Sequence, residues 1–342
     1  MANLNYAQRL ANLQKRKFDP ELKVLNFSNS AYANLVPENV KYMVKSMRPI
    51  DQKYNEKTIE AANRVQKHME DGFALHFNRA YRTQGSVKSK TNIRVHSDFD
   101  LLSVVNRYQF LHTDIPNDNP YTATNPDSDI SDLRKQATKI LKNVYSEVDD
   151  SGDKSISVVN KSLNRKIDVV FCFWYDTKRF RETNDEYYRG VHLYDFPQQK
   201  RLQQDYPFAH LSQVNTKGDN TSDGSRRGIR LLKTLKADCE TELKISSFQL
   251  TTIAHSIADD RLRYSPGSEI KIAKAMSVEM DRLLQNPTYR KGVSSPNGTE
   301  TPLAKDEVVP DIKKLKEDLD ILISDCEREI RSSFVSVAMS NY

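Results

Sequence analysis

Ser97-Asp98-Phe99-Asp100-Leu101-Leu102-Ser103-Val104-Val105 sets two carboxylates two positions apart at the head of a run of leucine and valine. That apolar, β-branched tail reads as a buried strand from Asp98 to Val105. Side chains alternate across a strand, so Asp98, Asp100 and Leu102 share a face. Two further Asp-x-Asp pairs act as internal controls. Asp127-Ser128-Asp129 sits in a polar stretch and Asp318-Leu319-Asp320 on a helix-patterned one, so only the pair at 98 and 100 is presented by a rigid strand.

A third carboxylate, Asp168, lies inside the apolar run Ile167-Asp168-Val169-Val170-Phe171. An ionised carboxylate in such a strand is costly unless it is paired or holds a metal. Arg165 or Lys166 could neutralise it structurally; the alternative is a cation from outside the chain. Upstream, Gln84-Gly85-Ser86 forms a flexible turn whose backbone N–H groups suit a phosphate. Three convergent aspartates and a Gly-Ser turn together point to nucleotidyl transfer, in which divalent ions with hard oxygen ligands clamp the attacking and leaving oxygens.

The rest of the chain is read outward from this centre. Ile59, Ala62, Val65, Met69, Phe73 and Phe77 recur at steps of three and four, which predicts an amphipathic helix leading to the turn. Thr113 to Asp129 reads as an exposed loop before a helix carrying Leu133, Ala137, Ile140, Leu141 and Val144. The strand Lys166 to Tyr175 follows, Thr177 to Gln204 is too mixed to assign, and Ser212 to Ser225 reads as a polar loop. From Arg226 the pattern is helical, and after a connection from Asn286 to Pro310 a last helix carries Ile312, Leu315, Leu319, Leu322 and Cys326 at heptad-like steps. This helix is expected to pack within its own lobe.

A chain of 342 residues is long enough for one large domain or two lobes, and 52 Lys plus Arg against 46 Asp plus Glu leave a net charge of +6 that favours an anionic partner. Three widely spaced cysteines and seven histidines never cluster at ligand spacing, so neither a disulfide framework nor structural zinc is expected. Asp149-Asp150-Ser151-Gly152-Asp153 lacks the closing Glu of a calcium loop and reads as a surface turn. Met1 to Phe18 has no apolar stretch, and Val169 to Tyr175 is too short to span a bilayer. A cytoplasmic protein is the expectation, and a monomer.

In the order Gln84-Gly85-Ser86, Thr91, Ser97-Asp98-Phe99-Asp100-Leu101 and Ile167-Asp168-Val169-Val170, the chain resembles the polymerase-beta-like nucleotidyltransferases. Within them it is similar to the cyclic GMP-AMP synthase-like and DncV-like enzymes of antiphage signalling. Tyr206-Pro207-Phe208-Ala209-His210 and Arg230-Leu231-Leu232-Lys233 look like the family's later landmarks, so the resemblance covers residues 55 to 260. It implies an α+β fold: a mixed nucleotidyltransferase sheet on a long supporting helix, a C-terminal helical lobe, and an active site in the cleft between them. The expected limits are an N-terminal segment, 1–54, packed on the core, a catalytic core, 55–211, and the helical lobe, 212–342.

The resemblance further implies that Asp98, Asp100 and Asp168 hold Mg2+ ions, with Mn2+ as a substitute, and that Gln84, Gly85 and Ser86 receive the donor triphosphate. By the same resemblance Lys233 contacts donor phosphate, and Ser247 and Phe248 touch phosphate and stack on the donor base. Read by pattern alone, Arg226, Arg230 and Lys233 could be a solvated basic face and Phe248 helix core. His96 reads as a loop or strand-edge residue. The implied reaction joins nucleoside triphosphates, ATP among them, into a cyclic or short linear oligonucleotide that acts on a downstream effector. Two rivals stay open at this point: transfer of a nucleotide onto RNA or protein, and a silent nucleic-acid-binding module built on Arg226, Arg227, Arg230, Lys233 and Lys236.

Overall fold

The computed structural model describes residues 4–17, 36–95, 97, 99–116 and 124–340. Helices α1 (Tyr6–Lys17), α2 (Glu38–Met47) and α3 (Gln52–Gly72) precede strands β1 (Arg79–Gln84) and β2 (Asp100–Leu111). Helix α4 (Pro126–Val144) is followed by β3 (Val148–Asp149), β4 (Ser155–Asn160), β5 (Arg165–Asp176), the short α5 (Lys178–Thr183), β6 (Arg189–Asp195) and β7 (Lys200–Asp205). The remaining helices are α6 (Pro207–Asn220), α7 (Gly224–Asp238), α8 (Ser247–Ser256), α9 (Asp259–Leu262), α10 (Glu269–Gln285), α11 (Pro287–Gly292) and α12 (Val309–Ser340). The chain divides into two compact units, one of Asp51–Lys90 with His96–Ser212, the other of Met1–Ile50, Thr91–Val95 and Gln213–Tyr342.

The first unit is built on a mixed sheet of seven strands among the described residues. β2 and β5 run parallel at its centre, β1 pairs antiparallel with β2, and the long β5 pairs with β4 over its first half and with β6 over its second. Alternation sorts the side chains by face. Phe99, Leu101, Val105, Ile167, Val169 and Phe171 pack with Ala62, Val65 and Met69 of α3 and Leu133, Ala137 and Leu141 of α4. The opposite face carries a smaller apolar cluster, Leu102, Val104, Val170, Cys172, Trp174 and Val191. Asp100 and Asp168 stand in line with this second cluster, two residues before Leu102 and Val170.

The second unit is helical. Leu13 of α1 and Tyr42, Met43 and Met47 of α2 share one core with Leu231, Leu232, Leu250, Ile272 and Met276. Ile312, Leu315, Leu319, Leu322 and Cys326 of α12 are each at most 1% exposed in that core, so the heptad-like stripe is used inside the unit. Buried ion pairs add to it: Arg9 Nη2 lies 2.7 Å from Asp318 Oδ2. Among the described residues of the expected N-terminal segment, α1 and α2 thus belong with the helical unit and not with the catalytic core, while residues 1–3 and 18–35 lie outside the described residues.

Other expectations also need correction. Ser212 to Ser225, read as a loop, is mostly helix: α6 runs through Asn220 on few apolar residues, Ala209 and Val214 being the buried ones. The break is only Thr221 to Asp223, where Ser222 and Asp223 adopt positive φ. Of Thr113 to Asp129, read as a loop, residues 117–123 lie outside the described residues and the end is already helix, capped by the Asn125 side chain, which accepts from the Asp127 and Ser128 amides. Val144 leaves the apolar stripe and is 47% exposed. Asn286 to Pro310 is not all surface, because Arg290 and Leu303 are buried within it. No helix among the described residues is long and apolar enough to cross a membrane.

Candidate active site

One polar row crosses four strands. Gln84 of β1 is the register partner of Asp100 in β2, Asp100 of Asp168 in β5, and Asp168 of Ser157 in β4. Register partners project to the same face, so Asp100 and Asp168 present their carboxyls side by side across neighbouring strands roughly 4.8 Å apart. The parallel pairing places them there: the Asp168 amide donates to Phe99 O at 3.0 Å, locking the register at the two acids.

Like charges at this spacing repel, and the chain offers partial compensation. Gln84 Nε2 donates to Asp100 Oδ2 at 3.2 Å, and the Ser157 hydroxyl donates to Asp168 Oδ1. Lys166 Nζ sits 3.4 Å from Asp168 Oδ1, but its side chain is 46% exposed, so that pair is screened by water. Arg165, the other neutraliser considered, points to the opposite face. It is buried and donates to Thr58 Oγ1, Leu163 O, Asn164 O and Tyr54 O. Among the described residues the row is therefore a set of hard oxygen donors with the exposed Lys166 ammonium beside Asp168, the chemistry a divalent cation takes. The third expected ligand, Asp98, lies outside the described residues, as does His96. Among the described residues no group of three His, Cys, Asp or Glu forms a metal site.

The Gly-Ser turn adjoins the row through Gln84. Gly85 adopts φ +105°, a conformation closed to side-chain-bearing residues, and its carbonyl accepts from the Lys88 amide at 3.1 Å. Ser86 follows, and its carbonyl accepts from Ser89 Oγ.

The remaining candidates belong to the helical unit. Lys233 of α7 is half-buried and donates from Nζ to Thr91 O at 3.1 Å, in the segment that follows the Gly-Ser turn. Its neighbours are not a solvated face: Arg230 is fully buried, Arg226 nearly so, and Arg226, Arg227 and Arg230 all converge on Asp223. Ser247 opens α8, while the capping hydroxyl is that of Ser246, which accepts from the Gln249 amide as Gln249 Oε1 accepts from the Ser246 amide. Phe248 is outside the buried core. It lines a groove of about 630 Å³ with Gln249, Glu300, Pro302 and Lys305.

Sequence reasoning missed Ser157. Its strand, with Ile156 and Val158 facing the core, is a six-residue alternation that the polar residues around it obscured. His210, in the unit built on the sheet, is held neutral by burial, which pulls its pKa down to about 4.

Comparison with known proteins adds the following. No protein-family model matches the chain. The chain is 32% identical over 302 residues to a cyclic dinucleotide synthase CdnE of Yersinia aleksiciae, spanning 85% of this chain and 77% of that protein. It is 25% identical over 357 residues to a c-di-GMP synthase of Capnocytophaga granulosa, spanning 96% and 99%. Among solved structures, the STING-associated CdnE c-di-GMP synthase of C. granulosa superposes with a TM-score of 0.81 at 24% identity, covering 95% of this chain and all of that one. The c-UMP-AMP synthase CdnE of Rhodothermus marinus gives 0.67 at 18% identity over 85% of this chain and 97% of that one.

Proposed function

The chain belongs to the cyclic GMP-AMP synthase- and DncV-like nucleotidyltransferases, among the cyclic dinucleotide synthases of the CdnE kind, and we propose that it condenses guanine-bearing nucleoside triphosphates into a cyclic dinucleotide, releasing pyrophosphate. It is an enzyme of nucleotidyl transfer by that membership. Three relatives named c-di-GMP synthases support the choice of guanine, and ATP is the second triphosphate to test. The product would act on an effector in antiphage defence, a role supported by the STING association of a structural relative.

The observation that carries this reading is the register pairing of Asp100 with Asp168 on one face. These two, with Asp98, would hold the magnesium ions, for which manganese can substitute. When bound, such ions supply Lewis-acid stabilisation of charge on the transferring phosphoryl group. Gln84 orients the Asp100 carboxylate and Ser157 that of Asp168, fixing which oxygens face outward. Gly85 and Ser86 offer backbone N–H groups to the donor triphosphate. Lys233 would add charge against the phosphates, and Phe248 a ring face on which the donor base stacks.

The test is product analysis of purified protein incubated with Mg2+ and each labelled triphosphate, alone and in pairs. A small phosphatase-resistant product formed without added acceptor supports the reading. Label found only in RNA or protein would assign the enzyme to tailing instead.

A further inference from the structure

One groove of the helical unit is built from two segments, the start of α8 with Ser246, Phe248 and Gln249, and the connection after α11 from Ser294 to Lys305. Its volume of about 630 Å³ falls within the roughly 300–1,000 Å³ of small-molecule sites. A ring such as Phe248 stacks on any base, so it binds without choosing. Choice needs polar groups at the edge of the base, and the connection supplies them.

That connection is held still. The Ser295 amide donates to Glu300 O at 2.8 Å, the Glu300 amide donates to Ser295 Oγ at 3.2 Å, and Ser295 is buried. Gly298, at φ +75°, closes the turn between them by donating to Ser295 O at 2.8 Å. Further along, Gln249 Nε2 donates to Pro302 O at 2.9 Å, and the buried Arg290 donates from Nη1 to Leu303 O and Lys305 O at 2.6 and 3.0 Å. Both ends of the Gln249 amide are thereby occupied, since its Oε1 accepts from the Ser246 amide.

The charged side chains of the groove are Glu300 and Lys305. Both are exposed, and among the described residues neither joins an ion pair; Asp306, adjacent to Lys305, pairs with Arg290 and Lys291. A carboxylate and an ammonium on one wall match guanine. The carboxylate accepts from N1–H and the 2-amino group together, and the ammonium donates to O6. Adenine presents the lone pair of N1 where the carboxylate needs a donor, and an amino group where the ammonium needs an acceptor.

We propose that Glu300 is the specificity-determining residue of this groove, selecting a guanine stacked on Phe248, with Lys305 on its O6. This deepens the reading that Phe248 stacks on the donor base and rests on it.

The test measures calorimetric binding, with Mg2+, of non-hydrolysable analogues of GTP, ITP and ATP, read at the site that Phe248→Ala weakens. ITP lacks the 2-amino group and so makes only one of the two bonds to Glu300. The wild type should bind the GTP analogue about tenfold or more tighter than the ATP analogue, with the ITP analogue between them. Glu300→Gln keeps the size of the side chain and leaves the backbone bonds of the connection in place. In it the guanine preference should fall about tenfold through lost affinity for the GTP analogue, and the gap between the GTP and ITP analogues should close. Lys305→Met should weaken the GTP and ITP analogues alike, both of which carry O6, and spare the ATP analogue. An unchanged guanine preference in Glu300→Gln overturns the proposal, as does an equal loss for all three analogues, the mark of a disturbed groove. A wild type without guanine preference overturns the guanine reading of the substrate, and a Phe248→Ala variant that weakens no analogue overturns the stacking. Either takes this proposal with it, and either shows without touching Glu300.

Discussion

Asp168→Asn should make the metal-free protein more stable while abolishing its chemistry. Asp100 and Asp168 are register partners on one face. Two unit charges about 5 Å apart repel by roughly 3 kcal/mol at an effective dielectric of 20 and by under about 1 kcal/mol in water. Lys166 offsets part of this, but as an exposed pair it contributes at most about 1 kcal/mol. Asn at position 168 keeps the size of the side chain, still accepts from Ser157, and removes the repulsion. The net gain expected is about 1 kcal/mol, or about 2–4 °C in the unfolding midpoint. Magnesium reverses the order. At ten times its Kd it should stabilise the wild type by about 1.4 kcal/mol and leave Asp168→Asn nearly unmoved. Scanning calorimetry with EDTA and with Mg2+ reads both effects, and product formation should fall at least about a hundredfold. A variant less stable than wild type in EDTA, or a wild type indifferent to Mg2+, would refute the reasoning.

Gly85→Ala forces a side chain into φ +105° and should cost about 1–3 kcal/mol or move the turn, seen as a raised KM for triphosphate with intact α-helical circular dichroism. Burial lowers the His210 pKa from its ordinary value to about 4, so the unfolded chain binds a proton between pH 6.5 and 4 that the folded one refuses. Stability is therefore complete above pH 6.5 and falls by about 1–3 kcal/mol as the pH drops toward 4, a slope that His210→Gln should flatten in urea titrations. Arg230→Leu removes the closest of Asp223's three arginine partners and the buried donor to Met47 O, and should lower stability by about 1–3 kcal/mol, a change chemical denaturation would register. Phe248→Ala should raise the KM for the donor triphosphate several-fold with little change in fold, since the ring stands outside the core; an unfolded variant would restore the reading of Phe248 as core.

The central strands were legible because their signals are local. The apolar runs after Asp100 and around Asp168 have only one comfortable environment, a buried strand, and alternation then decides which way each acid points. That Asp100 and Asp168 meet is a matter of register between strands far apart in the chain, and register is written in pairing rather than in either segment alone. Ser157 stayed hidden for the same reason, as did the pair β6 and β7, whose polar residues mask their alternation. Helix α6 was misread because it carries few apolar positions; neighbours, not its own periodicity, hold it. The partition of the N-terminal segment was illegible because it depends on Arg9 finding Asp318 and Arg16 finding Asp238, hundreds of residues away.

The most direct measurement is mass spectrometry of the products formed from GTP and ATP with Mg2+ by the wild type and by the double variant Asp100→Asn/Asp168→Asn. The account predicts a cyclic dinucleotide containing guanine from the wild type and none from the variant. The same product at similar yield from both proteins, or none from the wild type with any triphosphate, would contradict it.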